Sequence, residues 1–189
     1  MTTVINDDQL TPTAAPNIND QKPTIMNDNN KQYNAVIKTS QGNITIVLDL
    51  QNYPITADNF IALAKKDYYK NTIFHRVIKG FMIQGGDPKG DGTGGPDKYV
   101  VEPPAANTKY VRGLVAMAKK ATDPAGTSGS QFFIMHADSQ LPAEYAILGK
   151  VIDGIDVVDK IANSPTKPDG EGSIPVTPVV VKTITIVEN

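Results

Sequence analysis

Apolar residues are sparse and without period before Tyr33 and recur with a period after it. Residues 33–39 and 43–50 are rich in Val, Ile and Thr, and Ser40-Gln41-Gly42 between them reads as a hairpin turn. Thr56 can cap a helix running to about residue 67, with Phe60, Leu63 and Ala64 on one face. Residues 72–78 and 81–84 form two strands broken at Lys79-Gly80. Residues 87–97 hold too much Gly and Pro for anything but a loop. Three more strands are expected at 113–118, 131–135 and 145–151. A short helix over 154–162 puts Ile155, Val158 and Ile161 on one face, and a last strand covers 179–187. The helices do not alternate with the strands. A doubly wound parallel sheet is therefore disfavoured, and an antiparallel sheet or barrel with helices over its ends fits better.

The first 32 residues break this pattern. Asn and Asp dominate them, with Pro12, Pro16 and Pro23 between. Such a segment cannot bury enough surface to offset its ordering entropy, so 1–32 reads as a disordered tail and 33–189 as one folded domain. Apolar residues make up 40 % of the whole, enough for a single core. The formal charge is -2, which calls for neither nucleic acid nor an anionic surface. No cysteine is present, which removes disulfides, thiolate metal sites and a cysteine nucleophile. No apolar run is long enough to span a membrane, and Met1–Leu10 lacks the basic and apolar regions of a secretory signal. The chain is read as cytoplasmic and monomeric.

Three short motifs fail on context. Gly90-x-Gly92-x-x-Gly95 matches a dinucleotide fingerprint in letters, but Pro96-Asp97 follows it where a helix should begin. Gly126-Thr127-Ser128-Gly129-Ser130 has serine where a nucleophile elbow closes with glycine. His75 and His136 are the only histidines, and no cluster has metal-ligand spacing. His75 reads as structural, and Lys119 and Lys120 as part of a solvated loop.

Two longer blocks carry more. In Phe74-His75-Arg76-Val77-Ile78-Lys79-Gly80-Phe81-Met82-Ile83-Gln84-Gly85-Gly86-Asp87, a charge stands inside an apolar strand, where it must be paired or exposed on a working face. By alternation Phe81 and Ile83 face one way, and Met82 and Gln84 the other. A flat strand cannot aim Phe81, Met82 and Gln84 into one pocket. On spacing alone, Phe81, Met82 and Phe133 could be plain core and Arg76 a structural ion pair. The first block nonetheless resembles the signature of the cyclophilin family of peptidyl-prolyl cis-trans isomerases. Gly129-Ser130-Gln131-Phe132-Phe133-Ile134 resembles its second signature, and Gly113-Leu114-Val115-Ala116-Met117-Ala118 also fits. The similarity runs from about Tyr33 to Asn189, and the 117–133 loop with Leu141-Pro142-x-x-Tyr145 is similar to single-domain bacterial members.

The resemblance implies a mainly β fold, an eight-stranded antiparallel closed barrel capped by two α-helices, with the site on its outer face. It implies that Arg76 is catalytic. Phe81, Met82, Phe133 and Leu141 would form an apolar proline pocket. Gln84, Gln131 and the Ala118 backbone would hold the substrate main chain, with Lys119 and Tyr145 beside them. The partners implied are proline-containing peptides and folding proteins. Rotation about an X–Pro bond breaks no bond to a heavy atom, so no metal or cofactor is needed. The alternative function is a proline-motif binding module or holdase. The chain departs from the best-known members in four ways. It has Ala118-Lys119 where they have Ala-Asn, and its following loop is longer by about three residues. Leu141 follows Gln140 where they have Trp, and Tyr145 stands where His aligns. Without the indole, cyclosporin binding is expected to be weak.

Overall fold

A computed structural model describes residues 27–28, 30–168 and 171–189. Its elements in chain order begin with β1 (Tyr33–Thr39), β2 (Asn43–Leu48), α1 (Pro54–Lys65), β3 (Arg76–Ile78), β4 (Met82–Gly85) and β5 (Val100–Val101). There follow β6 (Leu114–Met117), β7 (Thr127–Ser128), β8 (Phe132–Met135), β9 (Ile147–Asp153), α2 (Ile155–Ala162) and β10 (Val181–Glu188). Eight strands form one antiparallel sheet in the order β10-β1-β2-β9-β6-β8-β4-β3. These are the eight strands expected from the pattern, with shifted ends. The pair β5–β7 is additional and was not foreseen, because two residues are too few to show a period. Beyond the sheet's end strands, single backbone bonds continue the pairing. Phe74 N–H donates to Val179 O at 3.0 Å and Val181 N–H to Thr72 O at 2.8 Å.

Each strand has two faces because successive side chains alternate. On one face Val77, Ile83, Ile134 and Val115 stand in register across β3, β4, β8 and β6, all buried. They join Ile37, Ile44, Ile46, Phe60, Phe132 and Leu148 in the main core, which α1 and α2 also enter. Phe132 is its aromatic hub, edge-on to Phe60, Tyr69 and Phe74. The opposite face of the same strands carries a second, smaller cluster: Met82, Tyr110, Ala116, Phe133, Met135 and Ile147.

The start of α1 differs from expectation. Thr56 is not its cap: the helix begins at Pro54, Tyr53 precedes it without a side-chain cap, and Thr56 is buried. Proline suits the first helical position because its missing N–H would have no intrahelical partner anyway. The free N–H groups of Ile55 and Thr56 instead donate to the Glu102 carboxylate at 3.2 and 2.8 Å. A residue nearly fifty positions away does the work of a local cap. Of the stretch read as a tail, residues 1–26 and 29 lie outside the described residues. Within the remainder, Asn27 donates to Asp58 at 2.5 Å and Lys31 pairs with Glu188 at 2.5 Å. Among the described residues, no helix is long and apolar enough to cross a membrane.

Candidate active site

The second apolar cluster becomes a site because one polar row crosses it. Antiparallel register sets Arg76 opposite Gln84, Gln84 opposite Phe133, Phe133 opposite Ala116, and Ala116 opposite Ile147. Residues directly opposite share a face, so this row runs from a guanidinium through an amide onto an apolar floor. Neighbouring strands lie ~4.8 Å apart, which puts the Arg76 and Phe133 backbones ~10 Å apart on the same surface. The next row, Ile78, Met82 and Met135, lies beside it on that face.

Phe81 escapes the alternation that seemed to exclude it. It lies in the turn before β4, where its N–H donates to Ile78 O at 3.0 Å. A turn residue is not bound to the strand's two-fold pattern, and Phe81 packs half-buried against the Met82 and Phe133 cluster. Leu141, Ala118 and Tyr145 pack there as well. The structure thus brings Phe81, Met82, Phe133, Leu141 and Tyr145 together on one patch. Tyr145 stands edge-on to Phe133, centroids 5.5 Å apart at 88°. The buried Tyr110 hydroxyl accepts from Tyr145 N–H at 3.0 Å and donates to Tyr145 O at 2.9 Å, pinning that segment. Ala118 N–H donates to Gln131 O at 2.9 Å.

The polar side of the patch is a chain of contacts. Gln84 Nε2 donates to Gln131 Oε1 at 2.9 Å. Gln131 Nε2 donates to Gly92 O at 3.0 Å and Gly94 O at 2.8 Å. A cavity of about 120 Å³ adjoins these glutamines, lined also by Tyr99, Ala118 and Ser130. Arg76 Nη1 faces Gln84 Oε1 at 3.4 Å and Met82 Sδ at 3.9 Å. The other edge of the guanidinium is taken up: Nε and Nη2 donate to Glu171 at 2.8 and 2.6 Å. The ion pair that the strand's odd charge allowed for is therefore present, yet it stands beside the apolar patch. The guanidinium lowers the Glu171 carboxyl below the usual range, through its hydrogen bonds first and its charge second.

Lys119 stands differently from its neighbours. A solvated loop was expected, but its side chain is only 2 % exposed. Its ammonium pairs with Glu144 at 3.1 Å, donates to Asp123 O at 3.1 Å, and lies 5.7 Å from the Tyr145 ring centre. Its charge is spent on holding the loop that carries Ala118. Lys120 is exposed.

The glycine-rich stretch has a use that its letters did not reveal. Asp87 is wholly buried, and its carboxylate accepts from the N–H groups of Lys89 at 2.8 Å, Asp91 at 3.2 Å and Gly92 at 2.6 Å. Burial by itself works against the charge, but the backbone N–H groups of Lys89, Gly94 and Gly92 outweigh it and hold the carboxyl below its ordinary value. Gly92 has φ +87°, and a Cβ on Gly94 would collide with the Asp87 carboxylate. The loop wraps an internal anion rather than a bound phosphate, and presents the carbonyls of Gly92 and Gly94 to Gln131. His75 lies beneath it, buried, with burial lowering its pKa. Among the described residues, no group of three acidic, histidine or cysteine side chains could hold a metal. In the Gly126–Ser130 stretch, Thr127 Oγ1 donates to Pro124 O at 2.8 Å and Ser128 Oγ to Gly126 O at 3.3 Å, so two of its three hydroxyls are engaged with backbone carbonyls. Glu171 is the site-facing residue that sequence reasoning missed, because no pattern in its loop marks it.

Comparison with known proteins points one way. The chain is 44 % identical over 161 residues to a peptidyl-prolyl cis-trans isomerase of Acinetobacter baylyi, covering 79 % of this chain and 83 % of that one. It is 38 % identical over 158 residues to peptidyl-prolyl cis-trans isomerase-like 3 of Dictyostelium discoideum, covering 81 % and 94 %. A crystal structure of a Cryptosporidium parvum cyclophilin type peptidyl-prolyl cis-trans isomerase, determined in the presence of the dipeptide Ala-Pro, superposes with a TM-score of 0.75 at 39 % identity. That match covers 82 % of this chain and 99 % of the other. With residues 35–186 matching the family model of the cyclophilin type peptidyl-prolyl cis-trans isomerase/CLD, the chain belongs to that family.

Proposed function

We propose that the Arg76–Gln84–Phe133 row catalyses cis-trans rotation of X–Pro peptide bonds, with the prolyl ring held against Phe81, Met82, Phe133 and Leu141. The barrier is ~18–20 kcal/mol because resonance gives the C–N bond double-bond character. At the perpendicular geometry that resonance is lost and the prolyl nitrogen regains its lone pair. A guanidinium is always charged and offers fixed donors, so it binds that state better than either planar one. The apolar wall holds the ring while the preceding carbonyl swings. The Gln84–Gln131 pair and the Ala118 backbone are assigned to the flanking main chain, a reading supported by their position beside the apolar patch. Lowering the barrier by ~7 kcal/mol gives an acceleration of about 10⁵, within reach of one charged donor in a dry site plus orientation. Substrates are proline-containing peptides and folding proteins, a reading supported by the Ala-Pro dipeptide used with the related parasite enzyme. The bonds linking residues 72–74 to 179–181 support closure of the sheet into a barrel, whose curvature gives this outer face its rigidity.

The observation that carries the reading is that Arg76 and Phe133 share one face, one strand apart on either side of Gln84. Catalysis of a cis-prolyl test peptide decides it. Arg76→Ala is expected to lower kcat/KM by about 10²–10³, the cost of removing one such donor. A variant as fast as the wild type removes Arg76 from the mechanism. Peptide binding without catalysis by the wild type favours a binding module.

A further inference from the structure

Between α2 and β10, residues 171–176 lie beside the site. The two arms of this connection are tied by Lys167 N–H donating to Ile174 O at 2.8 Å and Val176 N–H to Pro165 O at 2.9 Å. The second arm is fastened to β3, where Val77 N–H donates to Ser173 O at 2.8 Å. Val77 is the neighbour of Arg76, and Ser173 stands two residues after Glu171. That one backbone bond sets the carboxylate opposite the guanidinium.

Glu171 takes Nε and Nη2 of Arg76 in a two-pronged pair. A guanidinium has three edges, and this contact uses the side edge. The end that carries Nη1 is left facing Gln84 and Met82, on the patch that holds Phe133. An arginine side chain otherwise samples many rotamers, and here it is one-third exposed at 33 %. Free, it would sweep solvent as well as the patch. Resting on the assignment of catalysis to Arg76, we propose that Glu171 is a positioning residue: it clamps the back of the Arg76 fork so that the opposite end points at the twisting amide. The clamp acts through Arg76 and touches no substrate. It adds little to folding, since the attraction in a half-exposed ion pair is screened by water and offset by the ordering of two long side chains. Its effect belongs to the transition state, where a donor already in place needs no ordering.

The test uses the full chain and a cis-prolyl peptide, with Glu171→Gln keeping length and removing charge. The expected result is a kcat lower by about five- to tenfold with KM within about twofold, the signature of a contact that counts only in the transition state. The thermal midpoint should stay within about 2 °C. The chain has two arginines, Arg76 and Arg112, so Arg Hε resonances report the clamp directly. The Arg76 Hε signal should be protected in the wild type and lost in Glu171→Gln, with the Arg112 signal unmoved. Glu171→Asp should recover part of kcat. An unchanged kcat, or a kcat that rises because the carboxylate was competing with substrate, overturns the proposal. Arg76→Ala in parallel separates the two ideas: if it is inactive while Glu171→Gln is unaffected, the clamp alone fails. If Arg76→Ala is itself fully active, the assignment beneath the clamp fails too.

Discussion

Asp87 shows how much a single side chain does here without touching the chemistry. Its buried carboxylate gathers three backbone N–H groups and thereby shapes the loop whose carbonyls anchor Gln131. Asp87→Asn removes the charge and leaves an amide whose NH₂ meets N–H donors head-on. A loss of about 2 kcal/mol is expected, the cost of unmatched buried polar groups. That corresponds to a midpoint lower by roughly 4–8 °C for a chain of this size. The pH dependence follows from the sign of the shift. The native carboxyl sits below its ordinary value, so its contribution is full above that value and is lost as pH falls through the depressed native one. The acid limb of wild-type stability should flatten in Asp87→Asn, and an identical acid limb in both proteins refutes this account. At this scale the sequence named Arg76, Gln84 and Phe133 through a resemblance, but could not say that Lys119 is buried. A lysine's letter carries no record of a partner such as Glu144 twenty-five positions on.

Among the elements, α1 separates local from distant causes. Its apolar face was legible, since that is set by neighbours along the chain, whereas its start at Pro54 was not, Thr56 being expected at the cap. Nor was its cap, because Glu102 arrives from the end of β5, and β5 itself exists only by pairing Val100 and Val101 with Ser128 and Thr127. Glu102→Ala should cost about 1 kcal/mol, a typical loss for an N-terminal cap. Thr56→Val should be near neutral, as Thr56 Oγ1 is buried without a hydrogen-bond partner. Thermal or urea midpoints check both. A larger loss for Thr56→Val than for Glu102→Ala restores the threonine as the cap. The turn before β4 makes a similar point. Lys79-Gly80 was visible as a break, with Gly80 at φ +78°. That the break extends to Phe81, freeing its ring for the patch, needed the coordinates.

For the molecule as a whole, one sheet serves two cores. The inner row of Val77, Ile83, Ile134 and Val115 builds the fold, while the opposite row of Arg76, Gln84, Phe133 and Ala116 carries the proposed site. The patch is walled by Leu141 and Tyr145, and the chain has no tryptophan. An indole would add a donor and a flat apolar surface for a large cyclic peptide. Cyclosporin should therefore bind no tighter than about 1 µM, or about −8 kcal/mol. Submicromolar affinity by calorimetric titration would show that the missing indole does not matter.

By itself the sequence determined the class of fold, eight of the strands, both helices and the family, because alternation, turn residues and long motifs are properties of neighbours in the chain. It could not determine the cap of α1, the carboxylate inside the glycine-rich loop, or the pairing of Arg76 with Glu171. Each joins residues whose approach is set by strand register and loop closure. Only the tertiary structure decides which distant charges and donors share one dry space.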